Sequence, residues 1–420
     1  MDVIFKPFTP CGTVKAPPSK SDVHRAIICA ALSGGICTIS PVALSDDIKA
    51  TIRCVESLGA SAKTDGGVLT IDGSRMFENK TAQLDCGESG STLRFMIPVA
   101  AAGGVTATFT GSGRLPERPI GIYTEALPKA GIEFDCDRGL PLTISGKLKG
   151  GVFRIPGNVS SQFISGLLFA LPLLKQDSDI VLTSPVQSVG YINMTIRTME
   201  LFGIEVDATD TGWHVRGCQH YIPSDYKTDG DWSQAAFYMV AGAIGGEITV
   251  DGVNTDSAQG DRKIAEILRE FGAEVIQDAT RITVKKSELS AVDIDAKNIP
   301  DLVPVLAVCA AFAKGKTTIY NAERLRIKES DRLKTTAELL GRLGARVKEL
   351  EDGLEIEGTA LLNGGKANGY NDHRIVMSAA VCAARCNSKI ICTDALSVNK
   401  SYPDFYEDYS RAGGKAELKE

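Results

Sequence analysis

Five stretches of this 420-residue chain follow one template: "LGASAKTDGGVLTIDG" from Leu58, "AGIEFDCDRGLPLTISG" from Ala130, "FGIEVDATDTGWHVRG" from Phe202, "FGAEVIQDATRITVKK" from Phe271 and "LGARVKELEDGLEIEG" from Leu343. Each has a glycine, a short alternating strand, a turn rich in Asp or Gly, and a second short strand. The glycines Gly59, Gly131, Gly203, Gly272 and Gly344 recur about every 70 residues, a fixed period that marks a repeat architecture. A sixth copy, "AGGKAEL" from Ala412, is cut off by the chain end.

A second landmark keeps the same period. "SGGICTI", "AGGVTATF", "IGGEITV" and "KGKTTIY" each close a run of small and apolar residues and open a strand, and "QDSDIVL" and "NSKIICT" occupy the equivalent places. Before each lies an Ala-rich helical run with a polar start; after it lies a second helical run such as "DIKATIRCVESLGA" or "RKIAEILREFGA". The unit is strand, helix, strand, helix, strand, strand, six times over, and the first and last pieces are expected to complete each other. Pro and polar residues interrupt the pattern near "KAPPSK" and "YIPSDYK", so we expect two lobes of three units each: residues 1–14 with 226–420, and residues 15–225.

Composition narrows the class. The longest apolar run, "LVPVLAVCAAFA" from Leu302, is too short to span a bilayer, and no N-terminal apolar leader is seen. Eleven scattered cysteines with no CxxC pair fit a reducing cytoplasm. A net charge of −6 does not suit a nucleic-acid-binding surface, and the aromatic–basic interleaving of such proteins is missing. No membrane or nucleic-acid partner is expected.

The chemistry lies at the polar starts. First helices open with "PSKSDVHRAI", "GESGSTLRFM", "NVSSQFISGL", "DGDWSQAAFY", "IPDLVPVLAV" and "YNDHRIVMSA". Helix amino ends favour anions, so basic residues there run against the dipole. "RIKESDRLKTTAELL" is the sharpest case: its helix begins near Ser330 or Asp331, yet Lys328, Arg332 and Lys334 crowd that end. Taken singly, Ser21, Ser91, Ser161 and Asp372 read as helix caps, Lys20, Arg94 and Arg118 as solvated charges, Gly90 as a turn residue, His373 as a core histidine and Tyr191 as packing. The recurrence of Lys20, Arg25, Arg118, Lys328, Arg332, Arg374 and Lys400 in an acidic protein points instead to small substrates carrying several negative charges. Two carboxylates, Asp301 and Glu329, stand among these cations as candidates for proton transfer, a role that a pKa raised toward neutrality would suit. The segment from Arg326 is expected to be strained and mobile until an anion fills it.

"PPSKSDVHRA", "ESGSTLR", "RPIG", "GNVSSQFISGLL", "GD" at Gly230, "PDLVP", "IKESDR", "YNDHR" and "NKSYPDF" resemble, in this order, the 5-enolpyruvylshikimate-3-phosphate synthase family. The resemblance runs from Lys20 to Lys400. It implies an α/β fold, a two-domain inverted αβ barrel of six βαβαββ repeats closing around its substrates. It implies transfer of the enolpyruvyl group of phosphoenolpyruvate to the 5-hydroxyl of shikimate 3-phosphate, with release of phosphate, in the shikimate pathway of aromatic amino acid biosynthesis. No organic cofactor and no catalytic divalent metal are implied, and a cytoplasmic monomer is expected. By the same resemblance Ser21 and Arg25 hold the shikimate carboxylate, Ser160, Ser161 and Ser188 its 3-phosphate, and Gln162 and Tyr191 orient the ring. Lys20, Gly90, Arg118, Gln162 and Lys400 surround the phosphoenolpyruvate phosphate, and Arg332 and Arg374 its carboxylate. Asp301 accepts the 5-hydroxyl proton with Lys328 nearby, Glu329 protonates the methylene carbon together with Lys20, and His373 supports the site.

Three departures stand out. Familiar members carry Asn where Glu88 and Arg324 stand, and Pro where Phe95 stands; a carboxylate at Glu88 opposes phosphoenolpyruvate and its mimic glyphosate, so reduced glyphosate sensitivity is expected. The rival enolpyruvyl transferase, acting on UDP-N-acetylglucosamine, uses a Cys in a glycine-rich loop, whereas "GSGRLPERPIG" has none. A nucleic-acid end-processing protein and a purely structural repeat protein are the remaining alternatives.

Overall fold

The computed structural model describes residues 1–136 and 139–419. It divides into two compact units, a continuous one of residues 18–228 and a discontinuous one of residues 1–17 with 229–420.

The continuous unit contains helices α1 (Lys20–Leu32), α2 (Asp46–Ser57), α3 (Gly90–Gly103), α4 (Gly121–Ala126), α5 (Ser161–Ala170) and α6 (Val189–Leu201). Three four-stranded sheets accompany them. In one, Thr81–Asp85 runs parallel to Thr106–Thr110, which is antiparallel to Leu142–Gly146, itself hairpinned to Ile132–Asp135. The turn that the sequence places in this hairpin includes residues 137–138, which lie outside the described residues.

The discontinuous unit repeats the plan with α7 (Trp232–Gly245), α8 (Ile264–Glu270), α9 (Val303–Ala310), α10 (Arg332–Arg342), α11 (His373–Cys382) and α12 (Phe405–Arg411) and three more four-stranded sheets. Asp2–Lys6 lies between Ile390–Cys392 and Lys415–Lys419 and is antiparallel to both. The two chain ends therefore finish one sheet, as the cut-off repeat suggested. Gly59, Gly131, Gly203, Gly272, Gly344 and, in the sixth copy, Gly413 all have positive φ. Each stands where a helical segment gives way to a strand, a position where a left-handed backbone is cheap only for glycine. This requirement is what made the period visible in the sequence.

The two kinds of helix differ in burial because they differ in sequence. α7, α9 and α11, rich in Ala and Val, are buried almost all round and pack on one another. α2 and α10 bury one face and expose charged residues on the other, the pattern of outer helices. In the continuous unit α3 packs on α5 and α5 on α6, while α1 touches α2 and α6. Gly166 permits the first approach: a Cβ there would strike the Arg94 carbonyl and the Tyr123 hydroxyl. Phe95 belongs to this core, fully buried and edge-on to Phe169 at 5.4 Å. α3 runs through it without a break, so the residue that replaces the family's Pro acts as packing.

The crossings fall later than the sequence reading puts them, at Pro17–Pro18 and Thr228–Asp229. The cause is an exchange of strands. Thr13–Lys15, which the repeat assigns to the copy of α1, pairs in parallel with Glu247–Asp251 of the discontinuous unit, while Tyr226–Lys227 pairs in parallel with Ile36–Ser40 of the continuous one. Each crossing strand thus finishes the sheet of the unit it is leaving.

Candidate active site

In the continuous unit the helix starts are displaced from the sequence expectation. Ser19, Ser89 and Ser160, not Ser21, Ser91 and Ser161, occupy the cap positions, so Lys20, Gly90 and Ser161 are the first helical residues. Ser89 accepts from the Thr92 amide and Ser160 from the Gln162 amide. Ser91, relieved of capping, accepts from Gln162 Nε2 at 2.8 Å. The other end of that amide, Oε1, receives Arg94 at 2.6 Å, and Arg94 also reaches the Pro119 carbonyl and lies over the Phe163 ring. Gln162 is thereby held at both ends, which fixes its orientation.

Arg94 and Arg118 are 3 % and 6 % exposed, so neither is the solvated charge that each suggests alone. The Arg118 guanidinium lies against Gly90: a Cβ there would come within 2.7 Å of its Cζ. Glycine is required at this helix start for that approach, not for a turn. Arg25 donates to Thr195 Oγ1, to the Ser21 carbonyl and to the Tyr191 carbonyl at 2.8, 2.6 and 2.9 Å, with its guanidinium 5.3 Å from the Phe95 ring centre. Burial lowers its pKa to about 10, against the opposing pull of Asp22. Lys20 meets Asp47 of the first turn of α2 at 2.7 Å. Ser188 precedes α6 in a left-handed conformation with φ +56, unusual for a residue with a Cβ. The Glu88 side chain is laid against Gly113 in the loop that leads to Arg118.

The discontinuous unit brings together residues from four separate stretches. Asp301, before α9, receives Arg332 at 3.0 Å, Arg374 at 3.4 Å and Lys328 at 3.9 Å. Arg374 also donates to the Asp301 carbonyl. Arg332, 1 % exposed, spreads its nitrogens over three carboxylates: Asp372 through Nε at 2.8 Å, Asp301, and Glu329 at 2.8 Å. Asp372 caps α11, and its other donors are the Arg374 amide and the Ser330 hydroxyl. His373 is buried beside it, its Nδ1 3.9 Å from Asp372. Lys400 donates to the Asn371 carbonyl at 2.6 Å, and Tyr370 and Asn371 both have positive φ.

The crowded start of α10 is therefore neutralised by the protein itself, through Asp301, Glu329 and Asp372, and Asp331 caps the helix by accepting from Lys334 N. The segment is not the strained one. Arg326 pins it to Glu349, Asp331 and the carbonyls of Leu350 and Glu351, while the left-handed residues lie at 370–371.

The electrostatics follow from burial and these neighbours. Burial disfavours the charge on Asp301, but Arg374, Lys328 and Arg332 outweigh it and hold the carboxyl well below the usual range. The expectation of a pKa raised toward neutrality thus fails for Asp301. Burial lowers Lys328 to about 8 despite Asp301 and Glu329. Asp261, absent from the sequence reading, is 1 % exposed and accepts from the Ser233 hydroxyl; burial, then the charge of Asp301, pushes it up to about 7. Arg94, Asp47 and Asp372 were likewise not placed in the site, although "STLR" and "YNDHR" carried two of them. Among the described residues no group of three or more His, Cys, Asp or Glu is arranged to hold a metal ion, and no helix is long and apolar enough to cross a membrane.

Repeated four-stranded sheets, helix starts furnished with cations and a buried cluster of carboxylates and cations suit an α/β enzyme for small anionic substrates. Comparison with known proteins makes the assignment specific. The chain matches the family model EPSP synthase (3-phosphoshikimate 1-carboxyvinyltransferase) over residues 9–409. It is 45 % identical to a 3-phosphoshikimate 1-carboxyvinyltransferase of Clostridium perfringens, with 98 % of each chain covered. It is 43 % identical to that of Clostridium novyi, covering 96 % of this chain and 95 % of the relative. The fold superposes on an EPSP synthase from Acinetobacter baumannii with a TM-score of 0.84 at 25 % identity over both full chains. It also matches the enolpyruvyl transferase NikO from Streptomyces tendae, TM-score 0.80 at 14 % identity over 99 % of this chain and 98 % of that one, a likeness of fold. This chain belongs to the EPSP synthase family.

Proposed function

We propose that the protein transfers the enolpyruvyl group of phosphoenolpyruvate to the 5-hydroxyl of shikimate 3-phosphate and releases phosphate. The observation that carries the chemical reading is one carboxylate, Asp301, set among Arg332, Arg374 and Lys328, with Glu329 on the same Arg332. Adding an alcohol to an enol phosphate needs a base at the hydroxyl, an acid at the methylene carbon and cations for the intermediate. Asp301 takes the 5-hydroxyl proton as that oxygen bonds to the central enol carbon, and Glu329, with Lys20, delivers a proton to the methylene carbon. The bond from the central carbon to the phosphate oxygen then breaks, a methyl proton returns to Glu329, and the double bond is restored as phosphate leaves.

With Arg374, Lys328 and Arg332 all directed at it, Asp301 is too weak a base for this task. Substrate anions arriving at Arg374 and Lys328 draw part of their attraction away from Asp301 and raise its basicity. Arg374 carries more of the phosphoenolpyruvate carboxylate than Arg332 does, because Arg332 is already shared by three side chains. Lys20, Gly90, Arg118, Gln162 and Lys400 bind the phosphoenolpyruvate phosphate. Ser160, Ser161 and Ser188 bind the 3-phosphate, Ser21 and Arg25 the shikimate carboxylate, and Tyr191 the ring. His373 supports Asp372. All eleven cysteines are free thiols, which supports a reducing compartment, and we place the enzyme in the cytoplasm as a monomer.

The test is phosphate release from phosphoenolpyruvate with either shikimate 3-phosphate or UDP-N-acetylglucosamine as acceptor. Release with the first acceptor is expected; release with the second alone, or with neither, overturns the reading.

A further inference from the structure

A buried chain of hydrogen bonds in the continuous unit has no part in the chemistry above. His24 Nδ1 lies 2.7 Å from Thr51 Oγ1, Thr51 Oγ1 lies 2.7 Å from Thr92 Oγ1, and the Thr92 hydroxyl donates to Ser89 Oγ at 2.8 Å. All four side chains are at most 1 % exposed. The links join α1, α2 and α3 in turn and end on the cap of α3, next to Gly90.

Each hydroxyl has one proton, so the direction of the chain is determined. Thr92 spends its proton on Ser89 and accepts from Thr51. Thr51 then accepts from His24, since its 3.5 Å approach to the Asp47 carbonyl is too long to compete. His24 therefore carries a proton on Nδ1. Burial, with Lys20 and Arg25 nearby, holds its pKa well below the usual value and keeps it uncharged.

The chain sits one helical turn below the Lys20–Asp47 pair. Lys20 and His24 are four residues apart on α1, and so are Asp47 and Thr51 on α2, so both ties share the same faces. An anion that takes Lys20 from Asp47 removes the ionic tie and leaves the neutral one. On its other side α1 is tied to α6 through Arg25, Thr195 and the Tyr191 carbonyl. We propose that His24 is a positioning residue that keeps the first turns of α1 and α3, and hence Lys20 and Gly90, in register for the donor phosphate, with a smaller effect on the acceptor, whose Arg25 is tied separately to α6. The proposal rests on the reading of Lys20 and Gly90 as phosphoenolpyruvate residues.

The test compares His24→Leu, Thr51→Val and His24→Asn in steady-state kinetics and thermal unfolding. His24→Leu and Thr51→Val should raise KM for phosphoenolpyruvate about five- to tenfold, as the loss of one buried hydrogen bond predicts, and KM for shikimate 3-phosphate by less than about twofold. His24→Asn, which keeps a donor at the δ position, should recover most of the loss. Equal rises in both KM values, or a lowered Tm with neither KM changed, overturn the proposal. Should the variants fail to fold, nitrogen NMR of the native protein decides. It has only four histidines, so His24 can be assigned, and an Nε2–H tautomer or a cationic ring at neutral pH overturns the proposal. Absence of phosphate release by the native enzyme sinks the functional reading instead, and the NMR result then judges the chain alone.

Discussion

In the discontinuous unit the candidate site neutralises itself: Arg332 touches three carboxylates, and Arg374 and Lys328 share Asp301 with it. In the continuous unit Arg25 and Arg94 bond to neutral oxygens, a threonine hydroxyl, backbone carbonyls and the Gln162 amide. Neutral acceptors orient a guanidinium without cancelling its charge. Carboxylates cancel the charge and bind the cluster together, so that removing one member leaves another buried and uncompensated. The contrast is one of degree, since Lys20 of the continuous unit has a carboxylate of its own in Asp47.

The largest effect should come from the self-neutralised cluster. Asp301→Ala should lower kcat by about 10²–10⁴-fold, the usual worth of a positioned base. Titration calorimetry should meanwhile show shikimate 3-phosphate still binding; a variant retaining most of its turnover would remove Asp301 from the chemistry. Next, Arg332→Met should cost about 3–5 kcal/mol of stability in denaturant unfolding, because it removes the buried cation that Asp301, Glu329 and Asp372 share. Lys20→Met, whose pair with Asp47 is 16 % and 12 % exposed, should cost less, about 1–2 kcal/mol, while raising KM for phosphoenolpyruvate. Equal stability losses would erase the contrast between the two units.

Gly90→Ala tests the phosphate-capturing side. The new Cβ must push the Arg118 guanidinium aside, and KM for phosphoenolpyruvate should rise about tenfold with stability nearly unchanged. A smaller effect concerns pH. Lys328, lowered to about 8 by burial, is charged below that pH and neutral above it. kcat/KM, which reports the free enzyme, should therefore fall as pH rises through about 8. Lys328→Arg should move that limb upward, since a guanidinium stays protonated; an unmoved limb belongs to another group. The smallest expected difference is inhibition by glyphosate, weaker than in members with Asn at the position of Glu88. Inhibition that strengthens in Glu88→Asn would tie the difference to that carboxylate.

Much of this was legible because the repeat has a physical cause. A left-handed glycine is needed at the end of each copy, and Ala-rich against amphipathic helical runs distinguish buried from outer helices. The serine caps were off by one or two residues because each polar start offers several hydroxyls in a row, and spacing does not say which one closes the helix. The strand exchange was not legible: "YK" at Tyr226 is two residues long and has no alternation to reveal its partner. Nor was the charge balance at Arg332, whose partners Asp301, Glu329 and Asp372 come from three stretches that meet only in the folded unit. The sequence suggested a missing anion; the fold supplies three carboxylates. Asp261, in "AQGDRK", looks like any exposed acid in a loop until its burial is known.

Asp2 pairs with Lys419, so residues 2 and 419 are neighbours in one sheet. A short peptide joining them, with the chain reopened between Pro17 and Pro18, would yield a permuted protein in which each unit is a single uninterrupted segment and only one covalent passage connects them. Such a rewired molecule would separate what the sheets require from what the double passage adds.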